Sequence, residues 1–226
     1  MVDHVAVIGG TGDLGFALAT RWAKSGVKVT IGSREAAKAE AAVARLIEIV
    51  PNADAEGLEN PQAAAACSTI LVAVPFSGFV PIYRSIAESL RDDAVVVDAT
   101  VPIEASVGGK ATHVFGVWEG SAAQLGQAFL PKGTRMCSAF HTLSASAVAD
   151  LDETLAGDVL VCGSKAGKPA VKELIELLPD LRFVDAGPLE NARIIEPITA
   201  LLIGINHRYA TDRAGIAITG IDGRLA

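Results

Sequence analysis

The hydrophobic pattern opens on a continuous apolar run, His4 to Ile8, that breaks into glycines and reopens from Asp13 to Lys24 with Leu14, Leu18 and Trp22 at helical spacing. Strand, glycine turn and helix in that order predict a βα unit. The alternation then repeats. Val27 to Ile31 predicts a second strand after Gly26, and the alanine-rich stretch Glu35 to Val50 a helix stopped by Pro51. Asn52 to Gly57 predicts a short strand, Pro61 to Ala66 a small helix, and Ser68 to Val74 a buried parallel strand that runs into Pro75-Phe76. Phe79 to Leu90 reads as an amphipathic helix and Asp93 to Asp98 as a strand ending in Ala99-Thr100-Val101-Pro102. Ser121 to Leu130 predicts a helix, and Arg135 to Phe140 a strand that delivers His141 and Thr142 to its carboxyl end. Two more strands, Asp158 to Gly163 and Leu181 to Ala186, flank a helix at Lys168 to Leu178. Together these signals predict an α/β fold, a Rossmann-type doubly wound and mainly parallel sheet with a small C-terminal helical and strand extension packed on it.

Two stretches stand apart from this rhythm. Ile103 to Gly120, with Gly108-Gly109 and His113, reads as a mobile loop with a short strand, a candidate lid, with Trp118 packed inside. The run Leu189 to Tyr209 carries Ile194, Ile195, Ile198, Leu201, Leu202, Ile203 and Ile205, more apolar surface than one helix needs for a single neighbour. Such a helix is buried all round or shared with a second subunit, so a homodimer is expected. Asn206, His207 and Arg208 lie on it as candidates for facing a substrate.

The glycine turn carries the first candidate chemistry. Gly10 permits a tight turn, Gly12 leaves room for a pyrophosphate, and Gly15 lets the helix pack on the strand, while the helix start offers free amides to phosphates. The second strand ends in Gly32-Ser33-Arg34, where a hydroxyl and a cation suit a ribose 2′-phosphate better than a free 2′-hydroxyl. Lys38, one helical turn from Arg34, adds a third donor, and NADP is therefore expected over NAD. Glu35 is the one acid among them. The alternative is that Ser33 only caps the following helix and that Arg34 and Lys38 are solvated charges. Val74, Pro75 and Phe76 either wall the cleft or pack in the core. Asp98 reads as an acceptor of backbone amides, with catalysis the other option. His141 is open between a structural and a functional role.

Composition narrows the class. In 226 residues, half are apolar and the formal net charge is −7, which suits a well-packed core and argues against a nucleic-acid surface. No apolar run reaches the roughly 18 residues of a membrane span, and no basic segment precedes an apolar stretch at the start. A cytoplasmic protein without nucleic-acid or membrane partners is expected. Cys67, Cys137 and Cys162 are an odd number at wide spacings and read as buried thiols, not as metal ligands or disulfides.

These residues resemble the NADPH-dependent reductases of coenzyme F-420, the 5-deazaflavin hydride carrier. The resemblance is carried by Gly9-Gly10-Thr11-Gly12-Asp13-Leu14-Gly15, Gly32-Ser33-Arg34 with Lys38, Val74-Pro75, Ser138-Ala139-Phe140-His141-Thr142, Leu151-Asp152-Glu153, Asp158 to Gly163, and Asp185-Ala186-Gly187-Pro188-Leu189-Glu190-Asn191-Ala192-Arg193. It implies that Gly10, Thr11, Gly12, Asp13, Leu14, Gly15, Ser33, Arg34 and Lys38 hold NADP, and Val74, Pro75 and Ala139 are expected among the cofactor-binding residues. It implies also that His141, Thr142 and Leu143 face the deazaflavin, with His141 and Thr142 the catalytic pair. Residues 1–143 are then the Rossmann NADP-binding core, and 144–226 complete the deazaflavin site and the dimer interface within one compact unit. The family pattern continues Thr-Ile-Pro-Ala where this chain has Thr142-Leu143-Ser144-Ala145. The implied chemistry is direct hydride transfer, which needs placement more than acid–base groups. Two alternatives remain: a reductase of a small imine or carbonyl compound with His141 or Asp185 as proton donor, or a non-catalytic NADP-binding sensor.

Overall fold

A computed structural model describes residues 2–221. Eight strands form one sheet: β1 (His4–Ile8), β2 (Lys28–Ser33), β3 (Ala55–Glu59), β4 (Thr69–Val72), β5 (Val95–Asp98), β6 (Arg135–Ser138), β7 (Gly157–Gly163) and β8 (Leu181–Asp185). Their order is β3-β2-β1-β4-β5-β6-β7-β8, and every neighbouring pair is parallel except β6 with β7. The order reverses between β1 and β4, and it is at such a reversal, beyond the carboxyl ends of the strands, that open α/β sheets leave a crevice.

Successive strand residues face opposite sides, so the apolar runs feed two cores at once. Val5, Val7, Val29, Ile31 and Val97 pack under α1 (Asp13–Lys24), α2 (Ala36–Ile49) and α7 (Lys168–Glu176). Ala6, Ile8, Ile70, Val72 and Val96 pack under α3 (Asn60–Ala66), α4 (Phe79–Ala87) and α5 (Ala122–Phe129). All three cysteines are free and buried, as expected, and burial pushes the thiols of Cys67 and Cys137 up to about 11 and that of Cys162 to about 12.

Three expectations are corrected. Trp118 is not packed: it is 98% exposed, on a segment whose order comes from a 3-10 turn at Glu104–Val107 and a single bridge between Ile103 and Val114. The apolar run Leu189 to Tyr209 is not one helix. A 3-10 turn (Leu189–Asn191) leads into α8 (Ala192–Ile195), and Pro197 separates that from α9 (Ile198–Tyr209) because it has no amide to continue the ladder. Just before this break, buried Glu196 accepts the amides of Ala122 (2.8 Å) and Ala123 (3.0 Å) and so caps α5 from across the fold. The third correction is an added element: α6 (Ala145–Ala149), with Ser144 as its N-cap, follows the His141 segment where no helix is expected.

Helix α1 ties the two halves of the chain together. Arg21 is 4% exposed, and its guanidinium donates to the carbonyls of Val148 (2.7 Å), Ala147 (3.3 Å), Glu153 (3.0 Å) and Asp150. These are the orphan carbonyls at the end of α6 and in the loop after it. Trp22 Nε1 donates to Leu174 on α7 (2.9 Å), and the Trp22 ring meets Phe140 edge-on at 5.8 Å.

Replacing Arg21 by Ala strands several carbonyls at once. We expect Arg21→Ala to lose about 3 kcal/mol of stability and Arg21→Lys, which reaches fewer acceptors, to lose less. Urea unfolding midpoints check the order.

Candidate active site

Two cavities meet at the turn between β1 and α1. A cleft of about 420 Å³ runs over the ends of β1, β2 and β4, lined among others by Gly9, Gly12, Ser33, Arg34, Lys38, Asn60, Val74 and Pro75. A larger cavity of about 810 Å³ lies on the other side, lined by Asp13, Phe16, Arg45, His141, Thr142, Leu143, Thr199, Leu202 and Asn206 among others. Thr11 and Gly12 belong to both walls.

Geometry explains the glycines, with one correction. The tight turn is made by Gly9, not Gly10: Gly9 has φ +84°, and a Cβ there would lie 2.4 Å from the Ala73 carbonyl. Gly10 is packed beneath, where a Cβ would be 3.0 Å from both Ile31 Cγ2 and the Val7 carbonyl. At Gly12 a Cβ would meet only the Gly9 carbonyl, at 3.4 Å, which leaves the space above the α1 amides open; at Gly15 it would strike that same carbonyl at 2.6 Å. Gly9 was hidden in sequence by the doubled glycine, since either residue can serve a turn. Gly10, Leu14, Gly15 and Ala139 lie in the packing behind the cavity walls, while Thr11, Gly12, Asp13, Ser33, Arg34, Lys38, Val74 and Pro75 line them.

Ser33 is not the helix cap. The N-cap of α2 is Glu35, and the Ser33 hydroxyl accepts the Glu35 amide at 3.4 Å. Glu35 turns its carboxylate onto Lys38 (2.6 Å), an exposed ion pair at the mouth of the cleft.

On the other side, the chain leaves β6 through Phe140, which holds φ +70°. A side chain in that region is strained by about 1–3 kcal/mol, and the Trp22 contact keeps it there. The bend brings His141, only 4% exposed, to the cavity. His141 Nε2 shares a 2.7 Å hydrogen bond with Ser138 Oγ, and the His141 carbonyl accepts from Thr199 Oγ1 of α9 at 2.8 Å. Burial pushes the imidazole down to about 4, so the ring is neutral at physiological pH. Ser144 stands where the family pattern has proline and accepts the Ala147 amide at 3.2 Å, which starts α6 and closes this wall.

Other candidates separate. Asp98 is fully buried; its Oδ1 accepts the Thr100 amide (2.7 Å), as the backbone-acceptor reading expects, and burial pushes its carboxyl up to about 7. Asp185 lines neither cavity. Burial works against its ionisation, but the hydrogen bond from Lys168 prevails and holds it below the usual carboxylate range, and Gly187 N donates to it at 2.8 Å. Of Asn206, His207 and Arg208, Asn206 alone lines either of these two cavities, and its Oδ1 accepts the Ala214 amide (2.9 Å).

The fold and the paired cavities define a Rossmann-type dinucleotide-site protein. A family profile described as NADP oxidoreductase, coenzyme F420-dependent, matches residues 4–102. The chain is 43% identical over 225 residues to the F420-dependent NADP reductase of Methanothermobacter thermautotrophicus, covering 98% of this chain and 97% of that protein. It is 37% identical to the protein of that name from Methanocaldococcus jannaschii, covering 96% and 99%. The chain belongs to the F420-dependent NADP reductase family. Among solved structures, a protein from Arthrobacter sp. fb24 superposes with a TM-score of 0.77 at 23% identity over 96% of this chain and 99% of that one. A reductive aminase from Aspergillus terreus reaches 0.60 at 16% identity, over 93% of this chain and 63% of its own. Both share the fold.

The His141 environment sets a pH dependence. Its imidazole is held down to about 4 in the folded state, against about 6.5 unfolded, so the unfolded chain binds more protons between those values. Stability from this group falls as pH drops through that window, by up to about 1.4 kcal/mol per pH unit. Asp98 and Glu196, pushed up to about 7 and about 8, act with the opposite sign. The expected result is therefore a difference: His141→Gln loses less stability than wild type between pH 7 and pH 5 in parallel urea titrations.

Proposed function

We propose that this chain catalyses hydride transfer between NADP(H) and coenzyme F-420. The observation that carries the reading is the meeting of two cavities at Thr11 and Gly12, one with Ser33, Arg34 and Lys38 on its wall and the other with His141, Thr142 and Leu143. In this reading Ser33, Arg34 and Lys38 hold the ribose 2′-phosphate, and the open space over Gly12 takes the pyrophosphate at the start of α1. Val74 and Pro75 wall that cleft. When bound, the nicotinamide supplies a hydride at C4 and the deazaflavin takes it at C5. What remains for the protein is to hold, orient and dry the reactants.

His141 fits a positioning task. A neutral imidazole fixed by Ser138 and by the Thr199 bond to its carbonyl orients a ring by hydrogen bonding and is not in the imidazolium form that serves as a general acid at neutral pH. The imine or carbonyl alternative needs a proton donor from His141 or Asp185. The first is neutral and the second is an ionised partner of Lys168 away from both cavities.

We further assign residues 144–221 to the completion of the deazaflavin site and to a homodimer interface; the rest of the expected segment, 222–226, lies outside the described residues. Ile194 and Leu201, 62% and 63% exposed, and Tyr209 lie on α8 and α9, next to cavity residues Leu202 and Ile203. Large apolar side chains left exposed together on successive helices suit an association surface. The reading places the protein in the cytoplasm, which suits three unpaired thiols. No helix among the described residues is long and apolar enough to cross a membrane.

Anaerobic mixing with NADPH and coenzyme F-420 is expected to bleach the deazaflavin's visible absorbance; no bleaching sinks the proposal. Arg34→Ala removes a charge-assisted bond worth about 1.5–3 kcal/mol, so the preference for NADPH over NADH drops roughly ten- to hundredfold in kcat/KM. Leu201→Glu is expected to shift sedimentation from dimer to monomer.

A further inference from the structure

The cleft that carries Ser33 and Arg34 also carries a buried side chain without a partner. Asn60 opens α3 directly after β3, is 3% exposed, and lines the cleft with Ser33, Val74 and Ile82. Its Oδ1 is shut off from solvent and accepts no hydrogen bond. The amide lies close against β2 because residue 32 is glycine: a Cβ there would sit 3.1 Å from Asn60 Oδ1 and 2.8 Å from Ile8 Cδ1.

Local structure does not ask for an amide at this position. The start of α3 is already closed by a capping box between Glu59 and Gln62. A buried polar atom without a partner destabilises the fold, and an apolar side chain of similar size would spare it. Asn60 lines the cleft, so a turn of its carboxamide brings the unpartnered oxygen to a donor on a ligand bound there, and a buried acceptor of this kind calls for such a partner.

We propose that Asn60 is a further cofactor-binding residue, accepting a hydrogen bond from the adenosine half of NADP(H); this rests on the NADP reading above. Asn60 shares its cavity with Ser33 and Arg34 and not with His141, so it belongs to the 2′-phosphate end of the cofactor. That end offers two donors. One is the exocyclic amine of adenine, which a carboxamide also reads together with N7. The other is the ribose 3′-hydroxyl, since the 2′-oxygen carries the phosphate.

Calorimetric titration of wild type, Asn60→Ala and Asn60→Leu with NADPH and with its hypoxanthine analogue, alongside thermal melting, tests the assignment. Both variants are expected to bind NADPH at least tenfold more weakly. Asn60→Leu is expected to melt no lower than wild type, the opposite of what loss of a structural amide would do. If adenine is the donor, wild type binds the analogue as weakly as the variants bind NADPH. If the ribose hydroxyl is the donor, wild type binds both cofactors alike and the variants lose both equally. NADPH affinity within twofold of wild type in both variants overturns the assignment, as does a loss of affinity that only accompanies a fall in melting temperature. Absence of NADPH binding by wild type would instead overturn the NADP reading, and this inference with it.

Discussion

The buried guanidinium of Arg21 is the tie on which the rest of the site depends. It collects the loose carbonyls at the end of α6 and in the loop beyond, at positions 147, 148, 150 and 153, and fastens them to the flank of α1. The next residue of α1, Trp22, holds α7 through its indole nitrogen and Phe140 through its ring. Because α1 starts at the glycine turn, whatever is fastened to α1 is placed relative to that turn. The His141 segment is therefore set against Thr11 and Gly12 by a helix that begins at the same point. A rigid element shared by both cavities suits a reaction in which alignment matters most.

The charged groups near the site are arranged for binding and packing, with little provision for proton transfer. His141 is neutral because burial denies it a charge. Asp98 and Glu196 are raised by burial, and each is engaged with backbone amides, Thr100 for the first and Ala122 with Ala123 for the second. Asp185 is committed to Lys168 and to the Gly187 turn. Exposed charges stand on both cavities, Arg34, Glu35 and Lys38 at the mouth of the smaller cleft and Asp13, Arg45 and Asp212 on the wall of the larger one. This distribution puts the cations Arg34 and Lys38 together at the smaller cleft, where an anionic group is best received, and gives the larger cavity a wall of mixed polar and apolar residues.

Most of the sheet was legible because inner strands such as β1, β4 and β5 are buried on both faces and so appear as apolar runs bounded by turn residues, whereas the edge strands β3 and β8 are only half-buried. Boundaries shifted where a proline or a bend cut the hydrogen-bond ladder earlier than hydropathy suggests, as with β4 ending at Val72 and β6 at Ser138. The break at Pro197 was visible as a residue, but the apolar positions on either side kept a helical period and masked it. Helix α6 was missed because five residues are too few to show periodicity, although Ser144 was available as a cap signal. Trp118 misled because a large aromatic is usually packed, and here the loop holds it outward.

Within the site, the sequence by itself determined which chemical groups stand at strand ends, because a parallel sheet puts the residue after each strand at one common edge. Ser33-Arg34, Val74-Pro75 and His141-Thr142 follow from that rule alone. Only the tertiary structure decided which of them share a cavity, that Gly9 makes the turn, and that His141 is neutral, since these depend on contacts between residues far apart in the chain. The same holds for Arg21 and Asn60, which no pattern in the sequence marks: burial against distant backbone gives each its role.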